Sequence, residues 1–220
     1  MESLHFIWIF YAGASFLLGA VPSGRLIGRG VARIDITQRG SGNIGATNVA
    51  REVGLKWGIV TLALDLIKGF IPVFFFLRFY PHSQFALALV GVSALIGHQF
   101  SIFLRFRGGK GVATALGIYL AISPFNALIA LCGFVVIVYI SDFVSLASML
   151  SACIMPILFV MTGKPLAMTL ASLLMAGLIC FRHKDNIGRL VRGEERKWRK
   201  RQAMSAVQEA DPTPHQNRKR

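Results

Sequence analysis

The chain has 220 residues, 54% of them hydrophobic and 15% charged, with a mean hydropathy of +0.58 and a formal net charge of +14. Apolar runs of about 18 residues or more read as membrane-spanning helices, and several occur here, so the composition argues against a soluble globular domain. The basic residues border those runs and form no nucleic-acid motif, so they argue against a nucleic-acid-binding protein.

The first apolar run, residues 4–21, has no basic start and is followed by no small-residue cleavage pattern before Arg25, so it reads as a retained helix and not a signal peptide. A polar stretch follows, centred on a glycine-rich run at residues 40–48 (GSGNIGATN) that Arg39 and Arg51 flank. The second helix covers residues 57–77 and contains Asp65 and Lys68, one turn apart and able to pair. Ionisable residues inside a span are functional candidates by default, so Lys68 either contacts a ligand or braces the bundle. A turn with Pro81 leads to a third helix over residues 84–104 and then to a basic loop around Lys110. Residues 112–140 are apolar but broken at Ser123-Pro124, and Asp142 marks a further break. Residues 146–161 and 166–181 form the last two helices, joined by a Thr162–Pro165 turn. The charged tail from Arg182 turns polar beyond Gln202 and carries Pro212 and Pro214, a composition that favours disorder. One integral membrane domain is expected over residues 1–196, with a basic, disordered cytoplasmic tail over residues 197–220. Cys132, Cys153 and Cys180 sit in apolar segments at spacings that match neither a metal site nor a redox pair, and read as small buried hydrophobes.

Charge then sets topology. Six basic residues lie between Pro22 and Lys56, three lie at Arg105, Arg107 and Lys110, and twelve follow from Arg182 onward. The positive-inside rule puts all three regions in the cytoplasm, so an even number of crossings separates each from the next. Splitting residues 112–140 at Ser123-Pro124 gives two crossings, the first of about 11 residues and only about 17 Å long. The expected fold is therefore an all-α polytopic bundle of seven transmembrane helices, N-terminus outside and C-terminus cytoplasmic, with five spans plus a re-entrant pair as the alternative. Either count brings the glycine-rich run, the Lys110 loop, Ser145 and His183 to one membrane face.

Each of these regions carries chemistry. Glycines in residues 40–48 allow close backbone approach, and Ser41, Asn43, Thr47 and Asn48 add hydrogen-bonding side chains beside Arg51, a composition suited to an anion. In residues 106–114 (FRGGKGVAT) three glycines surround Lys110, pairing backbone N–H groups with an ammonium as phosphate recognition does. The loop is not a Walker A motif, because no Ser or Thr follows the lysine. In the tail, a helix would put His183, Asn186 and Leu190 on one face. No clustered metal ligands are seen, and no metal or cofactor is expected.

Residues 40–51 (GSGNIGATNVAR), 97–114 (GHQFSIFLRFRGGKGVAT) and 183–195 (HKDNIGRLVRGEE) resemble the three cytoplasmic motifs of the bacterial acyl-phosphate-dependent glycerol-3-phosphate acyltransferases, the PlsY family. The likeness runs to about Arg196, with Arg107 where lysine is common and Ser101 where proline is common; it assigns no meaning to the tail after Lys197. It implies transfer of a fatty acyl group from acyl phosphate to the 1-hydroxyl of sn-glycerol 3-phosphate at the cytoplasmic face of the bacterial inner membrane. It also implies catalytic roles for Ser41, Arg51, Lys110 and His183. Substrate contacts are implied at Gly42, Asn43, Thr47, Asn48, Lys68, Gly108, Gly109, Ser145, Asn186 and Glu195. The basic tail suits docking either of the enzyme that makes acyl phosphate or of anionic lipid. A transporter for a phosphorylated solute is the competing class, but it predicts charges along a transmembrane path instead of at one face. A structural membrane subunit would leave the glycine-rich loops unexplained.

Overall fold

The computed structural model describes residues 2–199. Every regular element among them is helical: α1 (Glu2–Ala20), α2 (Ser23–Ala32), α3 (Ala46–Glu52), α4 (Leu55–Phe79), α5 (Gln84–Gln99), α6 (Val112–Ile122), α7 (Pro124–Ser141), α8 (Val144–Met161), α9 (Leu166–Arg182) and α10 (Lys184–Val191). Short 3-10 turns lie at Ile36–Gln38 and Ile102–Leu104.

Five segments are long and apolar enough to cross a membrane: Phe6–Ala32, Leu55–Phe79, Gln84–Leu104, Pro124–Ser141 and Val144–Met161. Leu166–Arg182 makes a sixth when taken with Lys184–Val191 across a 61° bend. The chain is thus a multi-pass membrane protein. A seventh crossing rests on α6, whose 11 residues reach only about 17 Å, against a hydrocarbon core of about 30 Å. The expected break at Ser123-Pro124 is present: Ser123 ends α6 and Pro124 opens α7 at the first helical position, where its missing N–H costs nothing. The polar stretch before α4, read from the sequence as loop, contains α2 and α3 as well. Glycine at positions 24, 28 and 30 masks α2 by lowering its propensity, yet Gly24 and Gly28 let it lie tight against the backbone of Ile44 and Ile34.

Lipid gives helices no hydrophobic reason to associate, so close packing and interhelical hydrogen bonds must hold this bundle. α1 packs on α5 and α4 on α6, and glycines sit at both crossings. A Cβ on Gly19 would collide with the Ala94 carbonyl, on Gly97 with Phe16, on Gly69 with Thr114 and on Gly117 with Leu66. Ser15 Oγ donates to the Val90 carbonyl at 2.8 Å, and Asn126 Nδ2 donates to Thr162 Oγ1 at 2.8 Å, tying α1 to α5 and α7 to α8. Each such bond is worth roughly 0.6 kcal/mol in a membrane. The core between helices includes Val73, Phe76, Leu87, Leu95, Ile118 and Phe159. Phe74, Phe75, Val135, Val136 and Val160 face outward, as lipid contact requires. The cysteines depart from the expectation of burial: Cys132 and Cys153 are exposed on the bundle exterior and Cys180 is half-buried. An apolar solvent removes the need to cover a small apolar side chain. Asp65 and Lys68 pair within α4 at 2.9 Å, as their spacing predicts. Of the expected disordered tail, Trp198 and Arg199 pack against Asp142, and everything beyond Arg199 lies outside the described residues.

Candidate active site

A cavity of about 260 Å³ opens at the end of the bundle where α3, the Lys110 loop, the α7–α8 turn and α10 meet. Ser41, Asn43, Thr47 and Arg51 line its mouth from one side, and Lys110, Ser145, His183, Asn186 and Glu195 from the other. The fold thus brings to one cavity the residues that the sequence places on one face.

Asn48 braces the glycine-rich run. Its amide donates to the carbonyls of Asn43 at 2.9 Å, Arg39 at 3.1 Å and Ile36 at 3.3 Å, and its Oδ1 accepts from the Ser41 N–H at 2.9 Å. Gly40 (φ +58°) and Gly42 (φ +71°) supply the left-handed turns that this wrapping needs. Gly42 itself does not line the cavity. Ahead of the run, Asp35 accepts from Arg25 and Arg29, both at 2.8 Å. The Arg25 guanidinium, helped by the Thr37 hydroxyl, holds the Asp35 carboxyl well below the usual carboxylate range.

The Lys110 loop is built differently from the sequence expectation. The Gly108 and Gly109 N–H groups do not face an anion: they donate to the carbonyls of Gln99 and His98, each at 3.1 Å. Arg182 Nε donates to the Gly109 carbonyl at 3.1 Å, and its Nη2 donates to that of Gly108 at 2.6 Å. Gln99 Nε2 donates to the Lys110 carbonyl at 2.9 Å. Neither glycine lines the cavity; a Cβ on either would strike His98 or Gln99. Those two glycines serve close packing, which leaves Lys110 and Gly111 as the loop's contribution to the cavity lining.

Lys110 Nζ donates to Asn186 Oδ1, and Asn186 Nδ2 donates to Glu195 Oε1 at 2.6 Å. Ser145 Oγ donates to the same carboxylate oxygen at 2.7 Å, and Arg189 Nε to Oε2 at 2.8 Å. Glu195 thus ties α8 to α10 and fixes Asn186 against the lysine. Burial pushes the Glu195 carboxyl up, but hydrogen bonds from Asn186, Ser145 and Arg189 outweigh it and hold the group below its ordinary value. Burial pushes the Lys110 ammonium down to about 8; Glu195 opposes that, and Arg189 and Arg51 add to it. His183 is 2% exposed, and its Nδ1 lies 2.8 Å from the Ile179 carbonyl. A carbonyl only accepts, so Nδ1 carries the proton and Nε2 is left with a lone pair. Burial first, and the Lys110 charge second, push the imidazole down to about 4, so it is neutral at neutral pH.

Below this polar mouth the walls turn apolar, with Leu116, Tyr119, Leu131, Phe134, Ala152 and Met155 from α6, α7 and α8. Lys68 is not among them. It donates to the Val21 carbonyl at 2.8 Å and pairs with Asp65, so substrate contact, one of its two expected roles, is not available to it from this position; it braces α4 against the α1–α2 junction. Asp65 and His98 do reach the cavity wall, as do Arg189 and Arg196. Arg182 and Arg189 lie among basic residues for which topology alone accounts, so no local pattern singles them out.

The family model described as glycerol-3-phosphate acyltransferase matches residues 9–193. A glycerol-3-phosphate acyltransferase of Trichlorobacter lovleyi is 41% identical over 191 residues, covering 87% of this chain and 97% of the relative. That of Geotalea daltonii is 44% identical over 181 residues, covering 82% and 92%. Among solved structures, the glycerol 3-phosphate form of PlsY (YgiH), an integral membrane glycerol 3-phosphate acyltransferase, superposes with a TM-score of 0.86 at 34% identity, over 90% of this chain and 98% of that one. Its lysophosphatidic acid form gives 0.82 at 34% identity, over 87% and 95%.

Proposed function

The chain belongs to the glycerol-3-phosphate acyltransferase family, and from that premise we propose that it moves a fatty acyl group from acyl phosphate to the 1-hydroxyl of sn-glycerol 3-phosphate. The products are 1-acyl-sn-glycerol 3-phosphate and inorganic phosphate, the first acylation of phospholipid biosynthesis. The observation that carries the reading is one cavity with cations, hydroxyls and amides at its mouth and an apolar floor, a combination that matches two phosphates and one acyl chain. The glycerol 3-phosphate and lysophosphatidic acid forms of the similar PlsY structure support the substrate and the product.

In this reading the glycerol oxygen attacks the acyl carbonyl, the bond from that carbon to the phosphate oxygen breaks, and phosphate leaves. Acyl phosphate is a mixed anhydride, so its carbonyl is already activated and the protein mainly aligns and neutralises. Ser41, Asn43 and Thr47 hold a phosphate, and Arg51 and Lys110 neutralise the negative charge, Lys110 also meeting the departing phosphate. Ser145, His183 and Asn186 position glycerol 3-phosphate, with Glu195 setting Asn186. The His183 lone pair accepts a hydrogen bond from the attacking hydroxyl. With its conjugate acid at about 4 the imidazole is a weak base, which favours passage of the proton to a phosphate oxygen of the acyl donor. The proposed topology remains seven spans, N-terminus outside, with the site facing the cytoplasm of a bacterial inner membrane.

Purified protein with acyl phosphate and labelled glycerol 3-phosphate tests this. Lysophosphatidic acid is the expected product, and no product with acyl phosphate but product with acyl thioesters would overturn the donor. Uptake of label into vesicles without acylation would instead select a transporter.

A further inference from the structure

The matched family region ends at residue 193, yet the chain continues across the cavity mouth. After Glu195, Arg196 lines the cavity. The Trp198 N–H then donates to the Asp142 carbonyl at 3.0 Å, and the Arg199 N–H donates to Asp142 Oδ1 at 3.0 Å. The Arg199 guanidinium stands over the Tyr139 ring at 5.3 Å and bonds the Tyr139 carbonyl, with Nε 3.6 Å from Asp142. Asp142 caps α7 at φ +64°, a left-handed conformation that Asp tolerates better than most residues. It presents both its carbonyl and its carboxylate to the returning chain. On the other side of the mouth, the Arg51 guanidinium lies over the half-buried Trp198 ring at 6.0 Å.

We infer that residues 196–199 are a strap across the mouth and that Trp198 is a positioning residue, restraining the Arg51 guanidinium over the anion site before substrate arrives. Arg51 projects from α3, a helix of only seven residues, and an arginine side chain loses much rotamer freedom when an anion fixes it. An indole face that already confines the guanidinium removes part of that loss from the binding step. The strap is held at its far end by Asp142, so the α7–α8 turn and Arg51 are mechanically joined through it. The inference rests on the reading of Arg51 as a phosphate-binding cation.

The test is steady-state kinetics on the full-length protein, with acyl phosphate and glycerol 3-phosphate each varied. Trp198→Ala is expected to raise KM for a phosphate-bearing substrate about two- to fivefold, the size of an exposed cation–π contact, with kcat little changed. Trp198→Phe restores KM, and Asp142→Gly, which keeps the left-handed cap and the backbone carbonyl on Trp198 but removes the carboxylate from Arg199, moves it in the same direction as Trp198→Ala by less. A loss confined to kcat, an unchanged KM in Trp198→Ala, or no rescue by Phe overturns the proposal. A second readout needs no turnover. The chain has three tryptophans, so Trp8→Phe with Trp57→Phe leaves Trp198 as the sole emitter. Its emission should shift on adding glycerol 3-phosphate and, before any ligand, on Arg51→Lys. If these shifts occur but no acyl product forms, the strap stands and the reaction reading fails. If product forms and the emission ignores Arg51, the strap fails and the reaction stands.

Discussion

Lys68 and Lys110 both lie within a bundle of apolar helices, and their surroundings differ in one respect. Lys68, 4% exposed, meets the Asp65 carboxylate at 2.9 Å and a backbone carbonyl at 2.8 Å, so its charge is neutralised where it sits. Lys110 donates to the neutral oxygen of Asn186, and the Glu195 carboxylate is reached only through that amide. A buried cation paired with a carboxylate holds helices together. One bound to a dipole at the edge of a cavity keeps its attraction for an incoming anion.

Exchanging these surroundings should separate the two roles. Lys110→Ala is expected to lower kcat/KM by roughly a hundred- to a thousandfold, the scale of losing one preorganised charge-stabilising donor, with the melting temperature unchanged; near-normal turnover would end the assignment. Glu195→Gln should cost about one to two orders of magnitude in kcat/KM, because charge-assisted hydrogen bonds from Arg189, Asn186 and Ser145 weaken together. Lys68→Met acts on folding instead: it leaves Asp65 unpaired and should destabilise by about 3–5 kcal/mol, most of it recovered in Asp65→Asn/Lys68→Met. Thermal melts in detergent check this, and a stable single variant would show the pair to be dispensable. The smallest effect is in pH. Because the Lys110 value is depressed to about 8, its ammonium is present below that pH and lost above it. The pH profile of kcat/KM, which reports the free enzyme, should therefore fall on the alkaline side near pH 8, and in an active Lys110→Arg variant the fall should move to higher pH.

The same two lysines show how far the sequence could be read. Both were visible as unusual, and the Asp65–Lys68 spacing announced its own partner. That Lys68 is consumed by that partner and by Val21 depends on where the α1–α2 junction lies, which no local pattern encodes. The long apolar helices followed from hydropathy alone, and the basic loops placed the three motifs on one face before any packing was known. The glycines of α2 lower its propensity while serving a close approach visible only in three dimensions, so no local pattern announces that helix. The Gly108-Gly109 pair was legible as special but not as to purpose: glycine at a ligand and glycine under a neighbouring backbone look alike in one dimension. Trp198 falls in a stretch whose charge alone accounts for its composition, so nothing in one dimension sets it apart.

The glycines at the helix crossings carry a consequence for variation. At Gly19, Gly69, Gly97 and Gly117 even a methyl group meets a neighbouring helix's backbone, which has no rotamer to yield. A saturation scan scored only for accumulation in the membrane should find these four positions among the least replaceable, although they offer no side chain to any reaction. Their intolerance would mark where α1 meets α5 and where α4 meets α6, so a census of surviving mutants would draw the contact map of the scaffold without coordinates.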